Sequence, residues 1–263
     1  MNTDSALTVE RMGHVLVLSN NDAPLNRMRF EYMDALESAL DAAAADPVVR
    51  VIVITAQGDA NFSVGMDLKQ LTLYAQQRGG LEAVLDQRRR VLNKIESMNK
   101  PSIATLFGYC LGGGLELPLA CHFRLAVAEN VHIGLPEMEL GTVPAWGGTV
   151  RLTRCVGRNH ALDMILRARK IDGNEALRIG LVHAVHPMAH LKAAALELAR
   201  ELAEKPPLAI AGALRSIVNA ENLAISDALD IEREAFMRCA ASHDQAEGIK
   251  AFIEKRPPVF KGY

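Results

Sequence analysis

Residues 108–126 read "GYCLGGGLELPLACHFRLA". Three consecutive glycines, Gly112 to Gly114, open an apolar run in which Glu116 is the lone carboxylate. The stretch begins where "PSIATLF" (Pro101–Phe107) ends, a strand pattern with Pro101 at its first position, where proline is tolerated. It leads through a short helix over Leu115–Ala120 into "FRLAVA", another strand. Outward from it the same alternation recurs. "HVLVLSN" (His14–Asn20) is a short β-rich run, and "RFEYMDALESALDAAAAD" (Arg29–Asp46) has helical periodicity. "VRVIVITA" (Val49–Ala56) is a continuous β-branched run, as in a strand covered on both faces, and a helix starts near Leu81. The alternation predicts an α/β architecture with crossover connections. From Met188 onward the character changes. Helical segments are expected near Ala189–Glu204, Pro207–Ala220, Ile225–Ala240 and Asp244–Glu254, which suggests a helical C-terminal subdomain.

The 263 residues suffice for one large domain or two small ones with a substantial core. A hydrophobic share of 49% and a charged share of 23% fit a soluble globular protein. A net charge of −2 gives no global basic field for nucleic acid. No apolar run reaches the roughly 18 residues of a membrane span, and the N-terminal "MNTDSALTVERMGHV" resembles no leader, so the cytoplasm is the expected location. Cys110, Cys121, Cys155 and Cys239 are scattered and read as reduced packing residues. His183, His186 and His190 lack metal-ligand spacing on a helix, and "LVHAVHP" reads as a strand ending at Pro187, so no metal site is expected.

The glycines fail three phosphate or nucleophile motifs. Leu117 occupies the third glycine of a dinucleotide fingerprint, no lysine follows as in a P-loop, and "NFSVG" has Asn61 where a nucleophile elbow needs glycine. They fit a third role. Glycines at a helix start let unpaired backbone N–H groups approach a ligand oxygen, and the dipole there favours negative charge. A thioester oxygen becoming an enolate is a suitable guest. The rival reading is that they only permit tight helix–strand packing. A second donor is expected in "ANFSVGMDLKQL" (Ala60–Leu71), where Asp67 also reads as a helix-start residue. A second carboxylate, Glu137, stands in the Gly/Pro-punctuated "IGLPEMELGTVPAWGGTVRL" (Ile133–Leu152).

These stretches, in this order and with "ALRIGLVHAVHP" and "AFIEKRPPVFKG" after them, resemble the enoyl-CoA hydratase/isomerase family, the crotonase superfamily, over nearly the whole chain. The resemblance implies a spiral of ββα units over residues 1–200, carrying the active site, and a helical trimerisation region over 201–263. It implies a homotrimer or a hexamer made of two trimers. It assigns the oxyanion donors to the backbone N–H groups of Met66 and Gly113, with Gly65 and Asp67 beside the first. It makes Glu116 and Glu137 the catalytic pair, and puts the N–H of Ala145 beside the catalytic water. Phe252 and Lys255 match positions that contact coenzyme A from a neighbouring subunit. The implied reaction adds water to a 2-enoyl-CoA with no metal or redox cofactor, coenzyme A being part of the substrate. A Δ3-Δ2 enoyl-CoA isomerase, other thioester lyases or hydrolases on the same scaffold, and a non-catalytic acyl-CoA-binding oligomer are the alternatives.

The chain departs from the family pattern at two places. Trp146, its only tryptophan, stands where a small residue is usual, so a ring facing the site would reshape the acyl pocket. Arg27, after "PLN", is either near the coenzyme A phosphates or a solvated charge at a helix start. Glu139 reads as structural; it would share a face with Glu137 only if the segment is extended.

Overall fold

The computed structural model describes residues 5–263. An antiparallel hairpin, β1 (Leu7–Met12) and β2 (Val15–Asn20), starts the chain. Helix α1 (Phe30–Ala45) crosses to β3 (Val51–Ala56), which lies parallel to β2. After α2 (Leu68–Tyr74) and α3 (Leu81–Ser97) comes β4 (Ser102–Leu106). Then follow β5 (Tyr109–Leu111), α4 (Gly113–Ala120), β6 (Phe123–Val127) and β7 (His132–Gly134). Helices α5 (Gly148–Leu166), broken at Gly157, and α6 (Gly173–Arg178) lead to β8 (Ala184–His186). The rest is helical: α7 (Met188–Ala203), α8 (Pro207–Ala220), α9 (Ile225–Ala240) and α10 (His243–Glu254).

Two sheets result. The larger has the order β1-β2-β3-β4-β6-β8, parallel from β2 onward. The smaller pairs β5 with β7 in parallel. All six residues of β3 and all five of β4 are buried, so their β-branched runs need no polar alternation. Helix α7 packs on β2, β3, β4, β6 and β8, and buries Leu191, Ala195, Ala199 and Ala203 at four-residue intervals. The expected boundary between residues 200 and 201 therefore falls inside α7. Beyond it α8 and α9 form a helical hairpin, with α10 against α9. The Arg50 guanidinium fastens this region to the sheet by donating to the carbonyls of Ala203 and Phe260.

Most helices and strands expected from the sequence fall within a residue or two of their observed bounds, while the strand expected over "LVHAVHP" shortens to Ala184–His186. The strands β1, β5 and β7 and the helices α5 and α6 have no counterpart among the elements expected from the sequence. β1 is a half-exposed edge strand, and α5 begins in a glycine-rich loop and contains a glycine break, so neither has a clean periodic pattern. Among the described residues, no helix is long and apolar enough to cross a membrane.

Candidate active site

The glycine turn joins the two sheets. Ser63 donates to the carbonyl of Tyr109 and accepts from the N–H of Leu111, so the segment before α2 runs beside β5. Gly112 donates to the carbonyl of Gly134 at the end of β7. Gly112 has φ 55° and ψ −125°, a conformation closed to residues with a Cβ, and this aims the next N–H groups out of the sheet. Gly113 is the first residue of α4, so its N–H has no intrahelical partner, and among the described residues no other acceptor engages it. The second loop lies against it: a Cβ on Gly65 would stand 2.8 Å from the carbonyl oxygen of Leu111 and 3.9 Å from the Gly113 nitrogen. The Gly65 carbonyl accepts from Met28, which holds the following Met66 in a parallel bridge and leaves its N–H unused. Among the described residues the N–H groups of Met66 and Gly113 thus have no acceptor, and the backbone leading into Met66 lies against Gly113.

The two carboxylates flank this point. Helix α4 is buried along all eight residues, and Glu116, one turn in, is 2% exposed. Its Oε1 accepts from the N–H of Trp146 at 2.7 Å and of Gly148 at 2.8 Å, and among the described residues no donor engages Oε2. Burial pushes the Glu116 carboxyl up to about 7, against the two N–H groups; the nearby charge of Glu137 adds to the rise. Glu137 begins a 3-10 helix, Glu137–Leu140, after β7. Its Oε1 lies 3.1 Å from where a Cβ on Gly112 would be, so a side chain there would displace it. Its Oε2 is buried with no hydrogen-bond partner, and burial raises its pKa. A buried carboxyl oxygen without a donor suits the protonated form; a carboxylate receiving two N–H bonds suits the ionised form. Hydrogen bonding favours the negative charge on Glu116, and burial, which pushes its pKa up to about 7, opposes it.

Trp146 faces this site. Its indole, 4% exposed, lies on Gly113: a Cβ there would overlap Cζ3 and stand 2.8 and 2.9 Å from Cη2 and Cε3. Arg151 holds the loop in place. It donates to the carbonyl of Trp146 and to Glu96 and Asn93 on α3. These donors to Glu116, and the strap under them, were missed from sequence; the fifth residue after Trp146 being a buried arginine is the only trace they leave there. Ala145 is exposed on the crest of the same loop, and the N–H groups that reach Glu116 are those of its neighbours.

Other candidates sit elsewhere. Asp67 caps α2 by accepting from Lys69 and Gln70, and its second oxygen pairs with Arg27 at 3.3 Å. Arg27 is also held by Asp22 at 2.7 Å, a fixed ion pair rather than a free charge. Glu139 turns away to Lys170 at 3.0 Å, since the segment is helical and not extended. Phe252 is 85% exposed on α10, and Lys255 is exposed at its C-cap with φ 56°. The Cys110 thiol is fully buried and pushed up by burial, as suits a packing residue. His183 accepts from the N–H of Arg124 and packs on Phe123. Among the described residues no three His, Cys, Asp or Glu side chains gather as a metal set.

A family model described as enoyl-CoA hydratase/isomerase matches residues 11–263. A Bacillus subtilis protein named probable enoyl-CoA hydratase is 39% identical over 250 residues, covering 94% of this chain and 95% of that one. The 2,3-dehydroadipyl-CoA hydratase of Escherichia coli is 39% identical over 261 residues, 98% of this chain and 99% of its own. The crystal structure of an enoyl-CoA hydratase from Bacillus anthracis superposes with a TM-score of 0.93 at 32% identity, over 98% of this chain and 100% of that one. The spiral crotonase fold expected from the motifs is the fold observed. With a matching family model over almost its full length and a glycine turn set between a buried and a half-buried glutamate, the chain belongs to the enoyl-CoA hydratase/isomerase family.

Proposed function

We propose that this chain hydrates a 2-enoyl-CoA thioester, with Met66, Gly113, Glu116 and Glu137 as its working groups. The observation that carries the proposal is a buried carboxyl held by two backbone N–H groups and a second carboxyl with a buried unpaired oxygen, set beside two backbone N–H groups that have no acceptor among the described residues. The thioester oxygen accepts from Met66 and Gly113, which draws electrons from the double bond. Glu116 takes a proton from water through Oε2 while the water oxygen bonds to the β-carbon. The π electrons move to the thioester oxygen as an enolate, whose stabilisation by each N–H is worth about 2.7–4 kcal/mol. Glu137 then delivers its proton to the α-carbon. Afterwards Glu116 carries the proton taken from water and Glu137 is ionised, and proton exchange through solvent resets the site. No electron is gained or lost overall, so acid, base and oxyanion donors complete the chemistry without a metal or redox cofactor. The N–H of Ala145, on the loop that orients Glu116, is assigned to the attacking water.

Phe252 and Lys255 are assigned to coenzyme A bound by a neighbouring subunit. Their exposure supports this, as does the exposure of Ile225, Phe236, Met237 and Ile253 in the same helical region. Residues 201–263 would then be the oligomerisation region of a trimer, or of a hexamer made from two. The deciding experiment incubates the protein with saturated, 2-enoyl and 3-enoyl acyl-CoAs and follows ultraviolet absorbance and product mass. Hydration of a 2-enoyl-CoA is expected. Conversion of 3-enoyl to 2-enoyl without water addition would make it an isomerase, and binding without turnover across the panel a non-catalytic acyl-CoA binder.

A further inference from the structure

Arg88 is the largest fully buried side chain, at 0% exposure on the inward face of α3. Its guanidinium lies between two aromatic rings, 5.4 Å from the Phe30 centroid and 5.5 Å from that of Trp146. Nη1 donates to Gln87, but Nε and Nη2 are buried and have no acceptor among the described residues. The acids whose charges reach it are engaged by others. Asp34 accepts from Arg78 and Gln87, and Glu37 from Arg90 and Gln87. Burial pushes the guanidinium down to about 10, which leaves it a cation at neutral pH.

Buried cations are ordinarily paired, and aromatic faces replace only part of the lost hydration. The free edge here is informative. Nε and Nη2 point the same way and are the two donors that a carboxylate accepts side by side. The guanidinium is also close to the chemistry, because the indole that it packs on is the one that lies on Gly113. An acyl chain held by its thioester oxygen at Gly113, and running along this indole, would bring its far end to the guanidinium.

We propose that Arg88 is a specificity-determining residue that receives a carboxylate at the far end of a short acyl chain, so that the preferred substrate is an enoyl-CoA ending in a second carboxylate. Entry of such a chain shifts the Trp146 ring that covers Arg88 and exchanges two unpaired donors for a paired ion. A methyl end would leave them unpaired. The turnover part of this proposal rests on the hydration reading; the carboxylate site does not.

The test compares trans-2-hexenoyl-CoA with hex-2-enedioyl-CoA, equal in length and differing in a terminal methyl or carboxylate. The wild type is expected to favour the diacid in kcat/KM by about 10- to 100-fold, the range of hydrogen bonds to a charged group. In Arg88→Met the ratio should collapse towards unity or invert. Arg88→Lys should fall between, because an ammonium cannot hold two oxygens side by side. Calorimetry with the saturated pair, hexanoyl-CoA and adipyl-CoA, reads the same preference without turnover. If neither enoyl-CoA is hydrated while adipyl-CoA shows an Arg88-dependent advantage, the hydration reading fails and the carboxylate site stands. Equal or better use of hexenoyl-CoA by the wild type overturns the proposal, whether or not the variants fold. So does a diacid preference that Arg88→Met leaves unchanged.

Discussion

Glu116 is the residue on which stability and chemistry pull in opposite directions. Its folded pKa of about 7 is raised above the ordinary carboxyl value of 4.5. Between those values the native state holds a proton that the unfolded chain releases, so this contribution is present at low pH and lost as pH rises through 7. Glu116→Gln, neutral throughout, should therefore melt higher than the wild type at about pH 8, with the advantage fading by about pH 5. Thermal melts at the two pH values check this; a difference independent of pH would refute the raised pKa. The same substitution, and Glu137→Gln, should lower kcat for hydration by about 10²- to 10⁴-fold with thioester binding retained. Near-wild-type turnover in either variant would remove the two-carboxylate mechanism. At Gly113 the indole leaves no room for a methyl group. Gly113→Ala should be destabilised by about 1–3 kcal/mol, and Trp146→Ala in the same chain should recover part of that. A double-mutant cycle of unfolding free energies measures the coupling. The glycines and the glutamates were legible in the sequence because each breaks its local pattern. The environment of Trp146 was not, since an aromatic residue in a loop has no periodicity to orient it.

At the scale of elements, the site depends on one short helix and one loop. Helix α4 is apolar on every side, so its burial follows from composition alone, while its start at Gly113 rather than Leu115 is fixed by the φ of Gly112. The loop over residues 144–147 has no regular structure and is held by Arg151, which ties the Trp146 carbonyl to Glu96 and Asn93 of α3. Arg151→Ala should loosen the two N–H donors to Glu116 without touching the carboxylates. Hydration should slow and amide exchange at Trp146 and Gly148 should accelerate; unchanged exchange would show that the strap is dispensable. No periodic signal announces such a strap. Its partners lie 55 and 58 residues earlier in the chain and meet it only when α3 packs on α4 and α4 on α5.

For the whole molecule, the helical C-terminal region presents Phe252 at 85%, Ile225 at 76% and Phe236 at 62% exposure, apolar side chains that an interface between subunits would cover. Sedimentation equilibrium should give a trimer or a multiple of it. Phe236→Asp should dissociate the assembly, and a monomeric wild type would contradict the assignment. If coenzyme A is shared between subunits, Lys255→Ala should raise KM for every acyl-CoA while leaving kcat nearly unchanged, because a contact remote from the reacting carbons binds ground and transition states alike.

The sequence by itself determined the alternation of strands and helices, the buried character of α4, and the glycine and glutamate residues around which the site forms. These depend on local periodicity and on residues whose backbone or charge is out of place where it stands. Tertiary structure decided the raised pKa values of the carboxyl pair, the burial of Trp146 on Gly113, and the burial of Arg88 against two rings. Those are consequences of desolvation and of contacts between segments far apart in the chain. A residue's neighbours across the fold, rather than its neighbours in sequence, set its charge state and its partners.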